Sequence, residues 1–215
     1  MKVTLFHLFG VRLVMALLLG STGCCAVPTM DEIDPSSYPG VLRPPSTLGP
    51  DLMWRQKVTA RWGPDESASF EAVLQKRGNT LTLLGLNPMG QMGFALTFDG
   101  TEIDVQTRGG IKIPFPPRFI LLDVQRAFWP WLGPHKGSEQ SERFGAVAGE
   151  RLSERYRDGR LVERTFRRLD NVPTGVIRIR YSGWREGRRG PTTVVLDNAW
   201  FGYVLTVETY AEEAL

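Results

Sequence analysis

From residue 52 onward, apolar and polar residues alternate in short runs separated by turn-forming pairs. This period of two constrains the fold more than any other feature of the chain. In 54–62 (WRQKVTARW), Trp54, Val58, Ala60 and Trp62 alternate with Arg55, Lys57, Thr59 and Arg61. Successive side chains of a strand point to opposite faces, so the pattern predicts a half-buried β-strand. Further strands are expected over 67–76, where Phe70, Ala72 and Leu74 share a face, over 80–86, over 93–98, where Phe94, Leu96 and Phe98 share one, and over 101–107. Gly63-Pro64-Asp65, Gly78-Asn79 and Asp99-Gly100 supply the turns.

The rhythm breaks at 111–117 (IKIPFPP), because proline cannot donate to a sheet ladder. In 118–132, Phe119, Leu122, Ala127 and Phe128 recur near helical spacing, which predicts a short helix up to Trp129-Pro130. Residues 135–149 read as a polar loop. Strands resume over 151–156, turn at Asp158-Gly159, and continue over 160–169, 176–181, 192–197 and 203–209. In 176–181, Ile177, Ile179 and Tyr181 face one way, Arg178 and Arg180 the other. Evenly spaced strands joined by hairpin turns predict a mainly β chain with few helices, an antiparallel meander curling into a barrel-like sheet.

The first 51 residues follow other rules. Lys2 and Arg12 precede or flank a short apolar run, 13–19 (LVMALLL), followed by Gly20-Ser21-Thr22-Gly23 and then Cys24. That is the layout of a secretory signal peptide, and the run is too short to span a bilayer, which takes about 20 apolar residues. A cysteine directly after small residues resembles the lipobox of bacterial lipoproteins, although Ser21 stands where that pattern usually has Leu. The resemblance implies cleavage before Cys24 and a multiply acylated (palmitate-type) anchor on it. Cys25 follows where an Asp would favour the inner membrane, so the outer membrane is expected. Ordinary cleavage after Ala26, giving a soluble periplasmic protein, is the other reading. Six prolines in 26–50 exclude regular helix or central strand there, leaving an extended tether or a segment wrapped on the domain surface. The expected organisation is a signal peptide over 1–23, the acylated cysteine and Pro-rich tether over 24–50, and one lipid-binding domain over 51–215.

Composition excludes several functions. Without Lys2 and Arg12, the 26 basic side chains become 24 against 23 acidic ones, which is no nucleic-acid signature. The two cysteines are adjacent and the histidines are His7 and His135, leaving little for a disulfide framework, a zinc site or a Cys-His pair. No nucleophile elbow, phosphate loop or dinucleotide fingerprint is present. The spacing of Asp99, Asp104 and Asp123 supports no carboxylate pair, and Asp99 is explained by its turn. The chain is therefore expected to be no enzyme, with no cofactor and no metal.

Three stretches carry a family resemblance. Leu83-Leu84-Gly85-Leu86-Asn87-Pro88-Met89-Gly90 is similar to the apolar strand and Asn-Pro-Leu-Gly loop of LolB. Ile113-Pro114-Phe115 through Trp129-Pro130-Trp131-Leu132-Gly133 resembles the family's Pro-rich approach and Trp-containing lid helix. The strand order of the C-terminal third, ending in 204–209, is also similar. The chain thus resembles the LolA/LolB lipoprotein-carrier superfamily, LolB and LolB-like lipoproteins near aryl-polyene lipid genes above all, over residues 54–210.

That resemblance implies an open antiparallel half-barrel, α+β in class, with a short helical lid over an apolar cavity. It implies a periplasmic acceptor at the outer membrane that takes acyl chains of lipoproteins or glycolipids from a LolA-like carrier and inserts them into the bilayer. By this reading Cys24 is the lipidation site, and Pro88, Met89 and Gly90 form the membrane-insertion loop. Phe94, Leu96, Phe98, Ile177, Ile179, Tyr181 and Leu205 line the lipid cavity. Phe115, Phe119, Leu122, Phe128, Trp129 and Trp131 form the lid. A monomer with no nucleic-acid partner is expected. From the residues alone, Met89 could fold back, the inward side chains could fill a closed core, and the lid could be a plain amphipathic helix. Arg178, Arg180, Arg185, Arg188 and Arg189 could meet lipid phosphates or simply be solvated. The alternative function is a non-enzymatic accessory or scaffold lipoprotein of a glycolipid or aryl-polyene pathway.

Overall fold

A computed structural model describes residues 38–63, 65–109, 113, 115–133 and 141–215. Its eleven strands are β1 (Leu52–Arg61), β2 (Ser67–Arg77), β3 (Thr80–Leu86), β4 (Met92–Phe98), β5 (Ile103–Thr107), β6 (Ser141–Val147), β7 (Glu150–Arg157), β8 (Arg160–Arg168), β9 (Ile177–Ser182), β10 (Thr193–Asn198) and β11 (Tyr203–Ala214). Among the described residues one α-helix, α1 (Pro117–Phe128), lies between β5 and β6. The strands form a single antiparallel sheet in the order β5-β4-β3-β2-β1-β11-β10-β9-β8-β7-β6. It is open, with β5 and β6 at its edges, and does not close into a barrel. The open antiparallel half-barrel with one helix agrees with the fold class expected.

The topology consists of two meanders joined through their oldest and newest strands. β1 to β5 run outward in one direction, and β11 back to β6 in the other; β1 and β11 pair with Val58 opposite Val207 and Ala60 opposite Leu205. The connection carrying α1 crosses from one edge to the other, so the helix lies over the inner face. Two-residue turns close the hairpins where the backbone can go left-handed, as at Asp158 (φ 51°) and Gly159 (φ 69°).

The polar loop expected over 135–149 is corrected in part: β6 occupies its second half, pairing Val147 with Glu150 of β7. Its turn is made by Ala148 (φ 48°) and Gly149 (φ 79°). Alanine rarely accepts positive φ, so Gly149 alone marks this hairpin and the usual first turn residue is missing. Residues 134–140, including His135, lie outside those described.

The tether is corrected as well. Residues 38–50 are not a free linker but a strap seated on the domain, as the wrapped alternative had it. Tyr38 is 1% exposed and Leu48 3%, and the 3-10 turn Pro45–Thr47 packs against β3. The core is one continuous cluster running from Tyr38 of the strap to Val207 of β11. Cys24 and the remainder of the leader and tether lie outside the described residues.

Candidate functional site: an apolar cavity beneath the helix

Between α1 and the β1–β4 part of the sheet lies a cavity of about 300 Å³. This is at the lower end of the ~300–1,000 Å³ found for ligand pockets. Its walls follow from strand registers. On β1, Gln56, Val58 and Ala60 face it in strict alternation, and Trp62 just past the strand's end continues the series. Cross-strand partners share a face, so Val58 aligns with Phe70 on one side and Val207 on the other. Gln56, Ala72, Gly85 and Phe94 form a second rung. The helix contributes Ile120, Val124 and Phe128, one face at helical spacing.

Nearly everything lining this space is hydrocarbon. The buried Gln56 amide is occupied elsewhere, donating to the Thr209 hydroxyl at 3.1 Å. Asn87 at the rim is committed to its own loop. Gly85 is required by the shape: a Cβ built there would lie 2.0 Å from Phe94 Cε1. Its absence lets the Phe94 ring lie across the sheet, edge-on to Phe70 at 5.7 Å between centroids. A register shift between Gly85 and Leu86 then turns Leu86 to the same side as its neighbour, so both line the cavity.

The loop after β3 stands at the mouth. The Asn87 carboxamide oxygen accepts from the Met89 N–H at 3.0 Å and the Gln91 N–H at 2.9 Å, which fixes a tight turn. Pro88 lines the cavity, Gly90 takes φ 74°, and Met89 projects outward, 78% exposed. The folded-back alternative for Met89 is thereby excluded.

The seven side chains grouped as cavity lining divide three ways. Phe94 and Leu205 line it. Leu96, Phe98, Ile177 and Ile179 do not: they are 0–3% exposed and packed solid in the core. Their alternation places them on the inner face, but the strap and helix cover those stretches of sheet. Tyr181 lines a second cavity instead. The six lid residues divide too. Phe115 and Phe128 line the apolar cavity; Trp129 borders the second. Phe119 and Leu122 face away from the cavity, where Phe119 stacks on Tyr38 at 4.2 Å. Trp131 packs edge-on against Phe166 at 5.4 Å.

Sequence reasoning missed the polar cluster on the other side of α1. Asp123, 2% exposed, accepts from the hydroxyls of Tyr38 and Tyr203 and from Arg126 Nη1 at 3.0 Å. Asn198 Nδ2 donates to the Tyr38 hydroxyl at 2.7 Å. Arg126, fully buried, also donates to Glu150 at 2.7 Å and to the Pro39 carbonyl at 2.6 Å. Burial pushes the Tyr38 and Tyr203 phenols well above their ordinary range, and the Asp123 charge adds to it. Burial also raises the Glu150 carboxyl, against the pull of Arg126. The network binds the strap to the helix, reinforced by Gln125, whose side chain bonds both the N–H and the C=O of Arg43.

Arg178 and Arg180 lie on the outer face of β9, exposed, and Arg188 is engaged with Glu212 and the Thr209 carbonyl. Among the described residues no cluster of potential metal ligands occurs, and no helix is long and apolar enough to cross a membrane.

Three solved structures are similar in outline. A LolA-superfamily protein from Nitrosomonas europaea is 11% identical, with 80% of this chain and 88% of that one covered, at a TM-score of 0.46. A putative outer-membrane lipoprotein-sorting protein domain from Vibrio parahaemolyticus is 8% identical, covering 77% and 85%, at 0.47. A DUF1329-family protein from Desulfovibrio piger is 11% identical, covering 79% and 87%, at 0.39. No curated protein matches the chain. Residues 53–211, the sheet and its helix almost entire, match the model described as "Protein of unknown function (DUF3261)", and the chain belongs to that family.

Proposed function

We propose that this protein is a non-enzymatic lipid acceptor of the periplasm, anchored to the outer membrane through acylated Cys24, that holds an acyl chain beneath α1 and passes it to the bilayer. The carrying observation is an apolar cavity roofed by Ile120, Val124 and Phe128, with the exposed Met89 at its mouth. A hydrocarbon chain is the ligand such walls favour, at roughly 0.8 kcal/mol for each buried CH₂. The chain arrives on a lipoprotein or glycolipid, handed over by a soluble LolA-like carrier. The protein acts as a monomer. Release is passive: the chain partitions between cavity and bilayer, and Met89 lowers the barrier by entering the interface first.

Two variants test this with a fluorescent long-chain fatty acid and phosphatidylethanolamine vesicles. Val124→Trp fills the cavity and abolishes uptake. Met89→Glu leaves uptake intact and slows transfer to vesicles. Full uptake by a folded Val124→Trp protein, judged by its melting temperature, removes the cavity from the account; unchanged transfer by Met89→Glu removes the loop.

A further inference from the structure

A second cavity, about 290 Å³, lies on the far side of Phe128, whose ring lines both. It differs in chemistry. Its walls include Trp54, Trp129, Tyr156, Tyr181 and Trp184, together with the Arg164–Glu154 ion pair. Two residues that line it each carry a closed-off polar group without a hydrogen-bond partner, the Trp54 indole N–H and the Tyr181 hydroxyl. Those residues are 6% and 7% exposed. Buried tryptophan N–H and tyrosine O–H groups usually find a hydrogen-bond partner, and leaving one unmade costs stability. Burial pushes the Tyr181 phenol up to about 12, so it remains a neutral donor and acceptor at ordinary pH.

The two cavities adjoin at the Phe128 ring and lie over neighbouring stretches of the same sheet face. Trp54 precedes Gln56 and Val58 on the same face of β1, at roughly 7 Å per pair of residues. A single rung runs from Tyr181 through Val194 and Val207 to Val58. An amphiphile reaching past the Phe128 ring with its chain in the first cavity would bring its head to the second.

We propose that the second cavity binds the uncharged, hydroxyl-rich head of that amphiphile, a sugar ring being the chemistry that fits. This rests on the acyl-chain reading of the first cavity. Aromatic walls offer faces for the C–H surfaces of a ring, and the Trp54 N–H and Tyr181 O–H await hydroxyl or ring oxygens. Among the described residues of these walls a phosphate head finds no buried free cation, only Arg189 at the edge. The Arg164 guanidinium is spent on Glu154 Oε1 at 2.7 Å and on the carbonyls of Arg126 and Trp129. Arg189 stands exposed at the rim.

The test uses three probes with one chain: n-octyl β-glucoside, n-octyl phosphocholine and 1-octanol, all below micelle formation, titrated calorimetrically into residues 26–215. That fragment contains every core residue among those described, from Tyr38 onward. The glucoside binds tighter than octanol and phosphocholine. Trp54→Phe and Tyr181→Phe each weaken glucoside binding about threefold to tenfold, as loss of one hydrogen bond does, and leave octanol unchanged. Equal binding of glucoside and octanol, or variants that weaken both alike, overturns the head-group site while leaving the chain site standing. Tighter phosphocholine binding overturns the uncharged head. Failure of all three probes overturns both readings.

Discussion

At the scale of single residues, Gly85 and Arg126 show opposite relations between pattern and structure. Gly85 sits in an apolar strand where any larger residue would suit the alternation, yet the Phe94 ring occupies the space of its missing side chain. Gly85→Val drives that ring into the cavity. The variant is expected to lose fatty-acid uptake and about 1–3 kcal/mol of stability, as overpacked interiors do; urea melts and the uptake assay check both. The alternation of Trp54, Val58, Ala60 and Phe94 was legible because burial on one face writes itself as period two. Arg126 was not: a guanidinium in a helix reads as a solvent-facing position, and only three-dimensional packing surrounds it with the rings of Tyr38, Phe166 and Trp200. Asp123 is similar; its spacing to other carboxylates says nothing of the two phenols that find it.

At the scale of elements, the strap and α1 behave as one unit. Arg118 donates to the Tyr38 carbonyl at 2.7 Å, Gln125 brackets Arg43, and Arg126 joins Pro39, Asp123 and Glu150. Breaking a buried ion cluster by removing one member leaves uncompensated charge, so Arg126→Met is expected to cost about 3–5 kcal/mol. Hydrogen exchange is expected to rise first at the Arg43 amide; protection there equal to the parent protein's would show that the strap docks without the cluster. The helix was legible from its spacing and its Pro-bounded start, and β1 to β5 from their turns. The strap was half legible: prolines exclude helix and strand but do not say whether an extended segment is free or docked. The β6 hairpin was hidden because Ala148 carries a turn that glycine or asparagine would have announced.

At the scale of the whole molecule, ten of the eleven strands and the antiparallel class follow from the residue pattern, the open half-barrel from the family resemblance, but the pairing of β1 with β11 from neither. Alternation specifies which face is buried and not which strand lies alongside. That pairing sets the site, because it places Leu205 and Val207 beside Val58 and Ala60. The cavity lining was accordingly legible for Phe94 and Leu205, and through the expected lid for Phe115, ahead of the helix, and Phe128 at its end. The solid core accounts for the pH response. Phenols of Tyr38, Tyr203 and Tyr181 are raised by burial, so the unfolded chain binds fewer of their protons once pH exceeds about 10. Their contribution is complete below that value and is lost as pH climbs toward the raised ones. Phenolate absorbance from these three is expected to appear together with loss of the folded circular dichroism signal; absorbance that rises well ahead of unfolding would place them in contact with solvent.

The most direct test of an acyl chain held beneath α1 is native mass spectrometry of residues 26–215 exported to the periplasm and purified without detergent. The account predicts a retained lipid or acylated species that is absent from Val124→Trp. A protein that emerges empty, and takes up no added fatty acid, would contradict it and leave a filled scaffold in its place.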